Sequence, residues 1–363
     1  MSINLGAEKN KELEILTKKI EIYVKNILSS IDLKSNWEKN EALDYEIKKS
    51  FTRGLIRYSE HTNELVDLIK NDFKSKFPNK KNIEWISLPY PMIHLSYDYS
   101  EDGGFHNDGH QNDFYTCWLP VTDYKYDALS IYKFQNKIID KFSSLIIKIG
   151  MPKFLQDRIK ASQGNVFYWN AKRVHKGNLN ISNQISVAIQ LKITSEIYEL
   201  EQTRNFNKSQ NTNLKSQFTN FDDEQIYKNF NLYNNIVRFI LENIDRYDEF
   251  HIIKHVSSML DTKSMPFSFA LSVLSQRIIT NRKIFQIKNN EKFVNILDLI
   301  SLLVGSANLI SLKRLIKKKY MNTDLLDFLK KNDVFNTIPF DTYQFLSITE
   351  IPKTFKINNN FSY

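Results

Sequence analysis

Ten residues in the middle of the chain, Gln184 to Ile193, alternate without a break: Gln184, Ser186, Ala188, Gln190 and Lys192 interleave with Ile185, Val187, Ile189, Leu191 and Ile193. A period of two belongs to a β-strand, with one oily face and one face free to meet a polar cavity. A strand of this kind needs partners, and the preceding hundred residues supply them. WISLPY, MIHLSYDY, FYTCWLPVT, ALSIYKF and NVFYWNA are short, aromatic and β-branched, and are separated by Pro, Gly, Asn and Asp. On either side the periodicity turns helical. Leu13, Leu16, Ile20, Val24, Ile27 and Ile31 recur three or four apart, and a second helical run is expected from about 42 to 75. KIIDKFSSLIIKIGM and PKFLQDRIKA predict a helical insertion over about 136–160. The chain therefore divides into N-terminal helices packing on the core (1–80), a β-rich core (81–200), a polar linker rich in Asn, Gln, Ser and Lys (201–224) and an α-helical C-terminal domain (225–363).

Charge and cysteine usage narrow the setting. Lysine and arginine outnumber acids 50 to 41, but the excess of +9 is spread thinly and forms no nucleic-acid face, so no nucleic-acid partner is expected. The single cysteine, Cys117, has no partner for a disulfide, and no charged-then-apolar leader opens the sequence, which points to the cytoplasm. The most apolar run, from Ile296, is broken by Asp298, Ser301 and Asn308 and is too short to span a bilayer, so no membrane association is expected. Nothing in the sequence sets the oligomeric state.

The chemistry concentrates at HNDGH, residues 106–110, in a chain with only 7 histidines and 9 glycines. Gly103, Gly104 and Gly109 argue against a helix here. His106 and Asp108 are two apart, so in extended chain both side chains leave one face and can meet one ion. A third ligand must come from elsewhere, and His175, at a strand end just before the alternating strand, is the best candidate. Two imidazoles and a carboxylate make the facial triad of non-haem Fe(II) sites, which leaves coordination positions open. His110 is a candidate for the metal's surroundings or for substrate contact, with an exposed loop histidine as the plain alternative. His94 is either a cavity residue or a satisfied strand histidine. Trp118 and Trp169 read as core aromatics, and Cys117 as a small buried hydrophobe. His251 and His255 share a helix face but have no acid or cysteine beside them. The basic run Lys313–Lys319 reads as a solvated helix face.

FHNDGHQNDFYTCWLPVT followed by VHKGNLNISNQIS resembles the Fe(II)/2-oxoglutarate dioxygenases, in particular the phytanoyl-CoA-dioxygenase-like branch with its bacterial antibiotic and surface-sugar oxygenases. The resemblance covers roughly residues 80–195. It implies an α+β chain with a double-stranded β-helix (jelly-roll) core, Fe(II) on His106, Asp108 and His175, and Gly177 and Asn180 accompanying the distal histidine. It further implies 2-oxoglutarate as cosubstrate and hydroxylation of a small molecule, a sugar, metabolite or amino-acid derivative, in a bacterial biosynthetic pathway. The family places an arginine about ten residues after the distal histidine to pair bidentately with the oxoacid's far carboxylate. Gln184 stands there, with Ser186 behind it, so these two are the expected cosubstrate contacts, and Lys172, Arg173, Arg158 and Arg204 are alternative anchors. Lys192 shares the face but lies roughly 26 Å along the strand at about 3.3 Å per residue, too far to replace the arginine. The absent arginine motivates a second expectation: a non-catalytic or oxoacid-independent metal- or sugar-binding relative whose helical tail mediates assembly.

Overall fold

The computed structural model describes residues 10–79, 85–86, 89–101, 104–108, 114–133, 152–194, 218–260, 264–304 and 331. Residues 201–217 of the expected linker, most of the 136–160 segment, His110, Arg204 and the run Lys313–Lys319 lie outside the described residues, and the end of the expected linker is already helical from Asp223. The chain combines helices with antiparallel sheets and divides into two compact units: Met1–Leu28, Asp32–Lys39 and Glu60–Tyr198 in the first, and Ser29–Ile31, Asn40–Ser59 and Glu199–Tyr363 in the second.

The first unit is built on two antiparallel sheets. Strands β1 (Trp85–Ile86) and β2 (Tyr90–His94) follow one another along one edge of β8 (Ser186–Thr194), whose other edge pairs with β3 (Phe114–Pro120), which pairs with β6 (Phe167–Asn170). In the second sheet β4 (Asp127–Tyr132) lies between β5 (Gln156–Lys160) and β7 (His175–Gly177). Both sheets contribute to one core, with Trp118, Phe167, Trp169 and Ala188 from the first meeting Leu129, Ile131 and Ile159 from the second. The alternating strand β8 is buried on both faces: Val187, Ile189 and Leu191 are sealed, and so are Ser186, Ala188 and Lys192. Both faces are covered because helices lie against the outside of the larger sheet. Helix α1 (Lys11–Ser30) starts where the Asn10 side chain accepts from the backbone N–H groups of Glu12 and Leu13, a cap of the usual kind. Its Glu14 sits over Gly164, a residue at φ +81° whose missing Cβ leaves room for the helix. Helix α3 (Glu60–Lys76) places Phe73 against Tyr115 and Tyr168, and its Asp72 accepts from the Tyr168 hydroxyl at 2.7 Å.

The expected helical insertion is corrected at its end. Gln156–Lys160 is strand β5, and only Lys153–Leu155 forms a single 3₁₀ turn. The apolar spacing of the segment suits a helix, but β4 offers an unpaired edge, and pairing there lets Ile159 enter the shared core while Arg158 faces outward.

The second unit is helical throughout its described elements: α2 (Ala42–Arg57), α4 (Asp223–Asn243), α5 (Glu249–Met259), α6 (Met265–Thr280), α7 (Arg282–Phe285) and α8 (Asn290–Val304). The single helical run expected over 42–75 is broken at Tyr58–Ser59, and its first half, α2, belongs to this unit and not to the layer on the sheets. The reason is close packing of α2 on α6. A Cβ at Gly54 would lie 2.3 Å from the Pro266 carbonyl oxygen, so only glycine lets the helices approach this closely. Phe51 then packs on Phe230, Tyr233 and Phe267. The N-termini of α4, α5 and α6 are capped by Asp222, Asp248 and Ser264. No helix among the described residues is long and apolar enough to cross a membrane.

Candidate metal centre

His106 precedes β3 and pairs across an isolated bridge with His175 at the start of β7: each backbone N–H donates to the other's carbonyl at 2.9 Å. The Asp108 N–H donates to the Ala171 carbonyl at 2.8 Å, which anchors the loop two residues on. This backbone stitching brings His106 and His175, 69 positions apart in sequence, to one place, and their rings stand 4.5 Å apart, centre to centre. One ligand atom from each of His106, Asp108 and His175 lies within 4.8 Å of the others, the single such cluster of His, Cys, Asp and Glu found among the described residues.

The orientation of the two rings is set by neighbours that can only accept. His106 Nδ1 is 3.1 Å from the Gly104 carbonyl and His175 Nδ1 is 2.9 Å from the Arg173 carbonyl. Because a carbonyl cannot donate, both Nδ1 atoms carry a proton, and both Nε2 atoms turn toward Asp108. His106 Nε2 is 3.8 Å from Asp108 Oδ1, and His175 Nε2 is 3.5 Å from Oδ2. These gaps are at or beyond the limit for a good hydrogen bond, and lone pairs facing a carboxylate repel unless a cation lies between them. Trp169 walls the site, its ring 5.0 Å from that of His175. Burial pushes the His175 imidazole down to about 4, against the opposing pull of Asp108, so the ring is neutral and able to ligate at neutral pH. His106 is the solvent-facing member, with 47% of its side chain exposed.

Two residues complete the site that the sequence reading leaves out. Lys192 Nζ donates to Asp108 Oδ2 at 2.7 Å and to Thr116 Oγ1 at 2.9 Å, and the Thr116 hydroxyl donates to the same Oδ2 at 2.5 Å. Burial raises the Asp108 carboxyl, but Lys192, His175 and the bonds from Lys192 and Thr116 outweigh it and hold the group below the usual carboxylate range. Burial lowers the Lys192 ammonium and Asp108 opposes the shift. The register explains the encounter, since Thr116 is the direct cross-strand partner of Lys192. A lone lysine on the inward face of an otherwise sealed strand is the signal that could have found it.

The other expected site residues fall elsewhere. Gln184 is exposed in the bend before β8, and its carbonyl accepts from Asn180. The triad lies at the opposite end of β8, so the distance that separates Lys192 from position 184 places Lys192 in the site and Gln184 outside it. Ser186 is buried. Asn180 clamps a turn, donating to the His94 and Gln184 carbonyls and accepting from Ser182. The His94 ring packs near Tyr124, with 6.2 Å between centres. Arg173 gives its guanidinium to the Tyr132 and Lys133 carbonyls, and Arg158 faces Asp127 at 3.7 Å. His251 and His255 stack on Tyr247 and Phe239. Cys117 is sealed in the core, where burial raises its thiol.

No family model matches the chain, and no curated protein matches it. Several similar solved structures are described as non-haem enzymes, and the matches are partial. They include the alpha-ketoglutarate-dependent carbocyclase SnoK from nogalamycin biosynthesis, at 11% identity and TM-score 0.26 over 32% of this chain and 53% of that one. AviO1 from Streptomyces viridochromogenes Tue57 matches at 14% identity and TM-score 0.24, over 30% of this chain and 50% of that one. HygX from Streptomyces hygroscopicus, with nickel and 2-oxoglutarate bound, matches at 9% identity and TM-score 0.26, over 38% and 65%. The chain thus spans about half the length of SnoK and AviO1. At these identities and scores the likeness settles neither activity nor substrate, and the geometry of the triad is what bears on function.

Proposed function

We propose that this chain is an Fe(II)- and 2-oxoglutarate-dependent oxygenase that hydroxylates a small molecule. The observation that carries the reading is the convergence of His106 Nε2, His175 Nε2 and the Asp108 carboxylate, three ligand atoms within 4.8 Å of one another with each Nδ1 turned away to a carbonyl. Each ring is locked by a carbonyl behind it, the arrangement by which proteins orient metal-bound histidines. Strand order β2–β8–β3–β6 facing β5–β4–β7 supports a double-stranded β-helix for the sheet-bearing unit, with the triad at one end of the enclosed core. The bound metal would supply activation of O2 together with the oxoacid. This chain's own residues do the positioning: the two Nε2 atoms and one carboxylate oxygen hold the ion, Trp169 screens His175 from water, and the exposed side of His106 leaves an approach from solvent. A sugar, metabolite or amino-acid derivative is the substrate class suggested by the HNDGH…HKGN resemblance.

One observation favours a second reading, a metal site that uses no oxoacid. Among the described residues Arg173 is committed to two backbone carbonyls, Arg158 to Asp127 and Lys192 to Asp108, and Gln184 is away from the triad. Anaerobic addition of Fe(II) and 2-oxoglutarate to the purified chain separates the two. A visible charge-transfer band that needs both additions, lost in His175→Ala and Asp108→Ala together with at least about a hundredfold in Fe(II) affinity, is the expected result. Metal binding without the band supports the second reading, and no metal binding rejects both.

A further inference from the structure

Lys192 is only 3% exposed and is held from two sides, by the Asp108 carboxylate at 2.7 Å and the Thr116 hydroxyl at 2.9 Å. Its backbone lies inside β8, paired with Thr116 of β3, and its side chain enters the candidate site from the sheet. A buried lysine is costly unless paired, and here its partner is one of the three candidate ligands. The charges then add up in an unusual way. Among the described residues one carboxylate and one ammonium cancel, and an imidazole that ligates a metal is itself neutral. A divalent ion entering alone would leave a net charge of about two in a buried setting, next to an ammonium that also competes for Oδ2. A divalent ion entering with a dianion restores neutrality.

Resting on the proposed metal function, we infer that Lys192 is an internal counter-charge of the triad: it balances Asp108 when no ion is held and makes a divalent ion bind well only together with a dianionic ligand. Lys192 is thereby a positioning and charge-setting residue, not a metal ligand. It also occupies Oδ2 with Thr116, which leaves Oδ1 as the oxygen turned to His106. The coupling is reciprocal, so the ion must strengthen dianion binding by the same factor.

The test is Mn(II) binding to the full chain, followed by calorimetry and by the Mn(II) paramagnetic resonance signal, with and without 2-oxoglutarate. In the wild type Mn(II) should bind weakly alone and at least about tenfold more tightly with the oxoacid. In Lys192→Met, Mn(II) alone should bind at least about tenfold more tightly than in the wild type, and the tightening by oxoacid should shrink by a similar factor. Lys192→Gln, which keeps a donor to Asp108 and Thr116 without the charge, should behave as Lys192→Met does if the methionine variant fails to fold. Lys192→Arg should retain the wild-type pattern. Equal or weaker Mn(II) affinity in a folded neutral variant overturns the inference, as does a wild type to which the oxoacid binds but in which it tightens Mn(II) less than tenfold. If Mn(II) binds but the oxoacid binds neither protein, the oxoacid reading fails, and the ratio of metal-alone affinities still decides the role of Lys192. If Mn(II) does not bind the wild type with or without oxoacid, both fall.

Discussion

Glu46 in the helical unit and Asp108 beside the sheets are both buried carboxylates with a buried lysine in contact, yet their remaining neighbours differ in kind. Glu46 meets Arg53 at 2.7 Å and Lys49 at 3.2 Å, one on each oxygen, with Arg277 at 3.8 Å and a hydrogen bond from Ser50. Two of these cations lie on the same helix, one and two turns along, so α2 brings most of its own counter-ions. Among the described residues Asp108 has its cation on one oxygen only, from a distant strand, and two imidazole Nε2 atoms stand beside it at 3.5 and 3.8 Å. The first carboxylate is saturated by cations and holds a helix interface together. The second is incomplete, and incompleteness at a buried site is what a ligand corrects.

Removing the acid should separate the two most sharply. Glu46→Ala leaves Lys49 and Arg53 buried without their partner and should cost about 3–5 kcal/mol of stability, read from denaturant unfolding, with Mn(II) affinity unchanged in whatever fraction folds. A loss under about 1 kcal/mol would mean that the helical network is not structural. The pH dependence sharpens the contrast from the other side. The His175 imidazole sits at about 4 in the folded chain and at its ordinary 6.5 when unfolded, so the unfolded state binds the proton first as pH falls. Its contribution is therefore present above about pH 6.5 and lost as pH falls toward 4, at a slope approaching about 1.4 kcal/mol per unit. Unfolding followed in the metal-free protein should show this slope, and His175→Ala should flatten it. Next in size is Gly54→Ala, where the new methyl meets the Pro266 carbonyl: about 1–3 kcal/mol lost, with no change in Mn(II) binding. Smallest of all, Gln184→Arg should leave stability within about 0.5 kcal/mol and 2-oxoglutarate affinity unchanged, since position 184 is exposed and outside the site. A tightening of tenfold or more would return that position to the cosubstrate.

Much of the candidate site was legible because its pieces are local. His106 and Asp108 fall on one face by the pleat alone, and the motif around His175 marks a second strand end that can reach them. Lys192 was legible as a residue and misread as a position: its distance from Gln184 was right, but which end of β8 the triad occupies is set by the β3–β8 register, where Thr116 meets Lys192. The segment Gln156–Lys160 was misread for a related reason, since its apolar spacing suits a helix and only the free edge of β4 makes it a strand. Residues 42–75 read as one helical run, and the glycine at 54 that ties α2 to α6 carries no label of its partner.

Taken alone, the sequence determined what short-range chemistry can determine: the period-two strand, the 3.6-period helices, and the pairing of a histidine with an aspartate two residues on. The tertiary structure decided which side chains converge. Strand register, helix partners and the counter-ion of a buried carboxylate depend on groups far apart in the chain, and their encounter is chosen by the summed burial of both sheets and not by any local preference. That is why the triad could be read from two short stretches, while the lysine that completes its charge became visible only when the strands were laid side by side.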